Sequence, residues 1–209
     1  MKAAIFDMDG TLIDSMGTWG EICTMPLDKH NISYPDDILN IVTPMGLANV
    51  GKYYNTLGLN LTPEVIYNMI VERLIEEYRY RIPAKPFVKE YLDKLKSEGV
   101  KMCILTASAR EYSIPCLERL GILDYFEFFM SCDEAGLPKT NPEIFKKMAE
   151  KLGASIEETA VFDDNLGAVT SAKASGACVY GVYDKTSEKQ KEEIIKICDK
   201  YVISFENLL

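Results

Sequence analysis

The stretch "AIFDMDGTLIDS" at residues 4–15 runs a short apolar segment into two carboxylates, Asp7 and Asp9, and then into Gly10. A carboxylate at the end of a buried strand loses its hydration, which is costly unless a cation or hydrogen-bond donors compensate. We therefore expect that these two side chains meet a ligand at the end of the first strand.

The chain beyond residue 84 carries the pattern that predicts the fold. The apolar segments of strand length are 3–7, 100–106, 126–132, 159–164, 177–183 and the final "YVIS". Helical segments separate them, and Asn141 is predicted to be the N-cap of the helix that stops at Gly153. Short, nearly continuous apolar strands alternating with helices indicate an α/β fold, a Rossmann-like doubly wound parallel sheet covered on both faces.

Residues 16–83 show a different pattern of apolar and polar residues and contain no convincing strand. The segment 62–82, "TPEVIYNMIVERLIEEYRYRI", is a long amphipathic helix with Thr62 as N-cap and Pro63 in its first turn. We expect an inserted helical domain at 16–83 and an α/β core domain formed by 1–15 and 84–209. The connecting "PAKP" at 83–86 is interpreted as a hinge.

Composition excludes some partners. The 209 residues are 47% hydrophobic and 26% charged, with a net charge of −9, which argues against nucleic-acid and anionic-membrane surfaces. No apolar run approaches the ~20 residues that span a bilayer. Six scattered cysteines without metal-ligand spacing favour a reduced, cytoplasmic protein. We expect a small-molecule partner, no nucleic acid, no membrane, and a monomer or weak dimer.

Polar residues gather at the predicted carboxyl ends of the strands, where open α/β sheets bind ligands. They are Asp7 and Asp9 after the first strand, Thr106 and Ser108 after the second, Lys139 after the third, and Asp163 and Asp164 after the fourth. Each alone is explained by a turn, a cap or a solvated surface. Their common location favours a single site for one anion and one cation.

The chemistry of that site follows from the donor types. Carboxylates crowded together repel one another unless a divalent cation joins them, and oxygen-only donors suit Mg²⁺. An ionised aspartate can then attack phosphorus to give an aspartyl-phosphate, with Mg²⁺ and Lys139 offsetting the negative charge. A second carboxylate two residues away can protonate the leaving oxygen and later activate water.

Four segments resemble the motifs of the haloacid dehalogenase superfamily of phosphohydrolases. "FDMDGTLIDS" is similar to its DxDGT motif, "ILTAS" to its second motif, "KTNPEIF" to its lysine motif and "VFDDNLGAVTSAKASG" to its acidic fourth motif. The resemblance covers the chain in order and includes a helical cap inserted after the first motif. It implies a Mg²⁺-dependent phosphatase that hydrolyses a small phosphorylated metabolite through an aspartyl-phosphate.

The resemblance also implies a role for each matching residue. Asp7 is the expected nucleophile and metal ligand, and Asp9 is the expected acid–base, which also ligates the metal through its backbone carbonyl. The phosphoryl-binding residues are expected to be Thr106, Ala107 and Lys139. Asp164 is the expected direct metal ligand of the fourth motif, and Asp163 a direct or water-mediated one. The chain departs from the family pattern at Asn141, where Asp is usual, and at Asn165, where Ser is usual.

Two alternatives to a phosphatase stay open at this point, a sugar-phosphate mutase and a non-enzymatic protein. The chain also resembles sugar-phosphate mutases of the β-phosphoglucomutase type, but these carry a histidine where this chain has Trp19, and an indole cannot transfer a proton. Trp19 is interpreted as a packing residue, with stacking on a substrate as the alternative. A non-enzymatic phospho-receiver or binding protein is the third hypothesis, and the position of Asp7 on the first strand weighs against it.

Overall fold

The computed structural model describes residues 1–42 and 45–209. They form two compact units, an α/β unit of Met1–Met16 with Ile82–Leu209, and a helical unit of Gly17–Arg81. The strands are β1 Ala3–Phe6, β2 Lys101–Thr106, β3 Phe128–Ser131, β4 Thr159–Asp163, β5 Cys178–Val182 and β6 Lys200–Val202. The helices are α1 Met16–Lys29, α2 Ile38–Val42, α3 Leu47–Thr56, α4 Pro63–Tyr80, α5 Val88–Ser97, α6 Arg110–Arg119, α7 Cys132–Ala135, α8 Glu143–Lys151, α9 Leu166–Ser175 and α10 Lys191–Ile197.

All six strands are parallel and lie in the order β3-β2-β1-β4-β5-β6. The predicted doubly wound parallel sheet is confirmed. β1 lies between β2 and β4. β2 and β3 lie on one side of β1 and β4, β5 and β6 on the other, so the chain connections run in opposite directions from this point. Such a switch point leaves a crevice outside the carboxyl ends of the central strands, and the residues that follow β1 and β4 border it.

Both faces of the sheet are covered, as the continuous apolar strands predict. Ile5 of β1 belongs to a buried cluster with Phe145 of α8 and Val169 of α9. The next residue, Phe6, stacks on Phe162 of β4 with ring centroids 4.4 Å apart. Successive side chains of a strand point to opposite faces. Phe162, on which Phe6 stacks within the sheet, packs in turn against Tyr91 of α5 with ring centroids 5.8 Å apart, so α8 and α9 cover one face and α5 covers the other.

The helical unit is built around α4. Its N-cap is Thr62, whose hydroxyl accepts the backbone N–H of Val65, and Pro63 opens its first turn, as predicted. Ile66, Ile70 and Leu74 recur every four residues and are buried along one face of the helix. The described residues of this unit contain no strand. None of the helices that the structure describes is both long and apolar enough to cross a bilayer.

Some local predictions are wrong by a residue. Helix α8 begins at Glu143 and Pro142 takes the N-cap position, so Asn141 is not the N-cap. The side chain of Asn141 nevertheless accepts the N–H of Glu143 at 3.1 Å, because an asparagine just before a helix bonds the backbone two residues on. Strand β1 ends at Phe6, which leaves Asp7 just beyond the ladder.

The chain segments that flank the helical insert meet inside the α/β unit. Ile13 pairs with Ala84 in an antiparallel bridge. The backbone N–H of Asp14 donates to the carbonyl of Pro83 at 3.0 Å. The chain therefore leaves and re-enters the α/β unit at adjacent points, next to the residues that follow β1.

Candidate active site

Three carboxylates lie together at the carboxyl edge of β1 and β4. Asp7, Asp163 and Asp164 are buried, and each offers an oxygen within 4.8 Å of the others. The backbone N–H of Asp7 donates to the carbonyl of Phe162 at 2.9 Å, which continues the pairing of the two strands into the site. Because parallel neighbours end at the same edge, the sheet itself brings the predicted acidic residues together.

Lys139 bridges two of these carboxylates from the loop between α7 and α8. Its Nζ donates to Oδ1 of Asp7 and to Oδ2 of Asp163, the latter at 2.8 Å. Burial favours a lower pKa for the lysine, but the charges of Asp163 and Asp7 outweigh it and raise the pKa of Lys139 above its ordinary value. The side chain therefore stays an ammonium ion inside the cluster.

One ammonium does not neutralise three carboxylates. Burial raises the pKa of Asp7 to about 7. The charge of Lys139 opposes this rise, and the charges of Asp163 and Asp9 add to it. Burial and then the charges of Asp7 and Asp163 raise the pKa of Asp164 well above its ordinary value. A cation would relieve both penalties. The donors are all oxygens on a compact edge, so the residues present fit a hard divalent ion such as Mg²⁺.

Gly10 allows Asp164 to approach the turn after β1. Its φ is +78°, and a Cβ there would lie 2.6 Å from Oδ2 of Asp164. Both the left-handed backbone and the close approach therefore require glycine. Thr11 places its Oγ1 3.4 Å from Oδ1 of the same aspartate. The "DGT" of the opening stretch thus shapes the surroundings of a residue more than 150 positions away.

The carboxylate of Asp9 lies outside this three-residue group and has different neighbours. Its Oδ1 accepts the hydroxyl of Ser15 and its Oδ2 accepts the hydroxyl of Ser108, both at 2.6 Å. Sequence reasoning identified Asp9 and noted Ser108 at a strand end, but it missed the contact of Ser15. The signal was available, since Ser15 closes the same motif.

Thr106 is the last residue of β2 and is buried, as expected for a strand-end hydroxyl near the site. Its Oγ1 accepts the backbone N–H of Ser108 at 3.0 Å. Ala107 between them is exposed, so a ligand can reach its backbone. These residues begin the turn that leads into α6, beside the end of β1.

Asn165 explains one departure from the family pattern. It caps α9, and its Oδ1 accepts the N–H groups of Gly167 and Ala168 at 2.9 and 3.3 Å. Its own N–H donates to Oδ1 of Asp163 at 3.0 Å. Asparagine is as good an N-cap as serine, so the substitution preserves the helix start that follows the two aspartates.

Within the helical unit, Trp19 is half-buried and donates its indole N–H to the hydroxyl of Tyr78 at 2.6 Å. This contact agrees with the interpretation of Trp19 as a packing residue. The single histidine, His30, is exposed at the end of α1.

The model of the family described as haloacid dehalogenase-like hydrolase matches residues 1–176. A phosphorylated carbohydrates phosphatase of Thermotoga maritima is 27% identical over 87% of this chain and 85% of its own length. A phosphoglycolate phosphatase of Aquifex aeolicus is 25% identical over 98% of this chain and its whole length.

Solved structures share the architecture. A Thermotoga maritima protein provisionally assigned as a β-phosphoglucomutase superposes with a TM-score of 0.77, at 25% identity, over 97% of this chain and 94% of its own. CbbY of Rhodobacter sphaeroides, solved with phosphate, superposes with a TM-score of 0.81 over 100% and 96%, and its 17% identity supports a common fold alone.

Proposed function

This chain belongs to the haloacid dehalogenase-like hydrolases, and from that premise we propose that it is a Mg²⁺-dependent phosphatase of a small phosphorylated metabolite. The observation that carries the proposal is the buried group of Asp7, Asp163 and Asp164 with Lys139 bonded into it. The Thermotoga and Aquifex relatives, both named as phosphatases, support the reaction class.

Asp7 is the proposed nucleophile. A carboxylate oxygen of Asp7 forms a bond to phosphorus while the bond between phosphorus and the ester oxygen breaks, and its electron pair goes to the leaving oxygen. Lys139 holds Asp7 in place and offsets negative charge as the two anions approach. Thr106, Ala107 and Lys139 would bind the phosphoryl oxygens through a hydroxyl, a backbone N–H and an ammonium group.

Asp9 is the proposed acid–base. It gives a proton to the leaving oxygen in the first step. In the second step it takes a proton from water as the water oxygen bonds to phosphorus and the bond between phosphorus and the Asp7 oxygen breaks, which restores the Asp7 carboxylate and releases phosphate. Its separation from the three-carboxylate group supports this division, because a carboxylate fully engaged with a cation is a poor proton carrier.

The metal would be held by Asp7, Asp163 and Asp164, with the backbone carbonyl of Asp9 as a further ligand. When bound, Mg²⁺ supplies positive charge that lowers the repulsion between nucleophile and phosphate and polarises the phosphoryl group.

The domain assignment is part of the proposal. Residues 1–15 and 84–209 are the catalytic core and residues 16–83 are a helical cap that selects the substrate. The insertion of the helical unit immediately after the nucleophile segment supports this assignment. The six cysteines, none of them in a disulfide, support a reducing, cytoplasmic setting, and we propose a monomer or weak dimer.

The test is phosphate release from a panel of sugar phosphates, nucleotides, phosphoglycolate and glycerol phosphate, with and without Mg²⁺. We expect Mg²⁺-dependent release from at least one ester, and loss of turnover in Asp7→Asn with the fold retained. Asp124→Asn makes the same chemical change at an exposed position and should keep full activity. Retained turnover in Asp7→Asn would refute the nucleophile.

A β-phosphoglucomutase-like sugar-phosphate mutase is the second candidate, and the Thermotoga structure at 25% identity is the observation in its favour. Trp19 stands where those mutases carry a histidine, and an indole cannot transfer a proton, which favours hydrolysis. Incubation of a hexose phosphate with a bisphosphate activator separates the two, since a mutase yields isomerised sugar phosphate and a phosphatase yields free phosphate. A phospho-receiver or binding protein would give neither product.

A further inference from the structure

Asp7 and Asp9, the two aspartates that follow β1, have neighbours of different kinds. Asp7 meets the ammonium of Lys139 and other carboxylates, whereas each carboxylate oxygen of Asp9 accepts a serine hydroxyl. The hydroxyls come from different parts of the chain, since Ser15 follows six residues later and Ser108 lies in the turn after β2. Both serines are buried, at 0% and 5% exposure.

This arrangement fixes the direction of the Asp9 carboxylate. Each of its oxygens accepts one hydroxyl at 2.6 Å, within the range of a well-formed O–H···O hydrogen bond. Rotation of the carboxylate breaks at least one of these bonds in a buried setting, where an unmade hydrogen bond is costly. The two bonds together therefore define one orientation.

Hydroxyl groups suit a residue that must carry a proton. A serine can donate to a carboxylate and can also accept from a carboxylic acid, whereas a lysine can only donate. The same two serines can hold Asp9 before and after it loses its proton, without adding a positive charge to the site.

Ser108 also ties this orientation to the phosphoryl-binding turn. Its backbone N–H donates to Oγ1 of Thr106 at 3.0 Å while its hydroxyl donates to Asp9. A single residue thus links a residue expected to bind the phosphoryl group to the residue expected to protonate the leaving oxygen.

We propose that Ser15 and Ser108 are positioning residues that aim the carboxyl group of Asp9 at the ester oxygen. The inference rests on the proposed function and deepens it. As the phosphorus–oxygen bond breaks, its electron pair goes to the ester oxygen, and the proton that Asp9 delivers to that oxygen leaves a carboxylate on Asp9. The serines supply no proton to the product. They keep the carboxyl group of Asp9 directed at the ester oxygen.

The experiment compares two leaving groups. The variants Ser108→Ala and Ser15→Ala are assayed with p-nitrophenyl phosphate and with the alkyl phosphate of the panel that the wild-type protein hydrolyses fastest. An alkoxide needs a proton to leave, whereas p-nitrophenolate leaves without one. We expect kcat/KM for the alkyl ester to fall about ten-fold or more, and kcat/KM for p-nitrophenyl phosphate to change less than about two-fold. This ratio reports the steps through phosphoryl transfer to Asp7, and not the later attack of water, in which Asp9 acts on both esters alike.

A double-mutant cycle locates the effect at Asp9. In an Asp9→Asn background, Ser108→Ala should cause no further loss on the alkyl ester, because the proton donor is already absent. Ser97→Ala is the matched control, since Ser97 is exposed on α5 and donates only to the helix carbonyl of Lys94 among the contacts seen. It should leave both rates unchanged.

The outcomes are distinct. Equal losses of kcat/KM on both esters, or unchanged kcat/KM for both esters in both serine variants, overturn the positioning role while the phosphatase assignment stands. If Ser108→Ala does not fold, as judged by thermal unfolding, Ser15→Ala provides the test, by the loss on the alkyl ester relative to the loss on p-nitrophenyl phosphate. Absence of phosphate release by the wild-type protein overturns the proposed function and this inference together.

Discussion

At the scale of single residues, chemically identical side chains acquire different properties from their neighbours. Asp7 is buried among charged groups, and its pKa rises to about 7, with burial as the largest cause. Asp9, two residues on, is held by serine hydroxyls instead. After Asp9 the chain folds back, so that Ile13 bridges to it and Ser15 reaches its carboxylate, whereas Asp7 lies beside β4.

The raised pKa of Asp7 has a consequence for stability without metal. Between its ordinary pKa of 3.8 and about 7, the folded protein holds a proton that the unfolded chain has lost. The free energy of unfolding therefore falls as pH rises through this window. Asp7→Asn removes the titration, so without metal it should be more stable than the wild-type protein at about pH 8, by on the order of a few kcal/mol.

Thermal unfolding in the presence of a chelator measures this difference. The stability gap between Asp7→Asn and wild type should shrink from about pH 8 to about pH 5, because the wild-type carboxyl is protonated at the lower value. Asp124→Asn should show no such dependence. A gap that is equal at both pH values would contradict the raised pKa of Asp7.

At the scale of elements, the site depends on where α9 begins. β4 ends at Asp163, and α9 starts at Leu166, so Asp164 and Asn165 form the whole connection. The cap made by Asn165 closes this connection, because its side chain bonds the first free N–H groups of the helix. The strand end and the helix start together leave Asp164 little freedom.

Asn165→Ala should lower the free energy of unfolding by about 1 kcal/mol, the usual cost of losing an N-cap side chain. It should also weaken Mg²⁺ binding, because the connection that holds Asp163 and Asp164 loosens. Calorimetric titration with Mg²⁺ and thermal unfolding measure the two effects. Asn165→Ser keeps a capping oxygen and should behave like the wild-type protein; similar losses in both variants would show that capping is not the cause.

At the scale of the whole molecule, contacts between distant segments of the α/β unit hold the chain where it returns from the insert. Lys85 lies in the linker 83–86 that leads back from the insert. Its Nζ lies 3.0 Å from Oδ2 of Asp184 and donates to the carbonyl of Tyr183 at 2.6 Å. Burial opposes ionisation of Asp184, but hydrogen bonds from Thr186 and the charge of Lys85 hold its pKa below the ordinary value. The pair thus joins the linker to the loop after β5.

Lys85→Met should destabilise the protein by about 3 kcal/mol, because it leaves a buried carboxylate without its cation. Since the pKa of Asp184 is lowered, the pair contributes stability above the ordinary pKa of 3.8 and loses it as pH falls. The loss in Lys85→Met, measured by chemical denaturation, should therefore be largest near neutral pH. Lys89→Met breaks an exposed pair with Asp93 and should change stability little; equal losses would contradict the importance of burial.

The sequence by itself determined the strands, the parallel sheet, the helical insert and the acidic residues of the site. Apolar periodicity and turn residues act over a few positions, so strands such as β1 and caps such as Thr62 can be recognised locally. The common edge of β1 and β4 then follows from parallel topology. Asn141 shows the limit of such reasoning, because helix ends vary by a residue with local hydrogen bonding.

Only the tertiary structure decided which side chains meet. The bonds of Ser15 and Ser108 to Asp9, and of Lys85 to Asp184, join positions whose separation along the chain carries no periodic signal. These contacts depend on the turn at Gly10, on the stagger of neighbouring strands and on the space that packing leaves. Which side chains contact each other depends on three-dimensional proximity. Whether a residue lies in a strand or a helix depends largely on its immediate neighbours in the sequence.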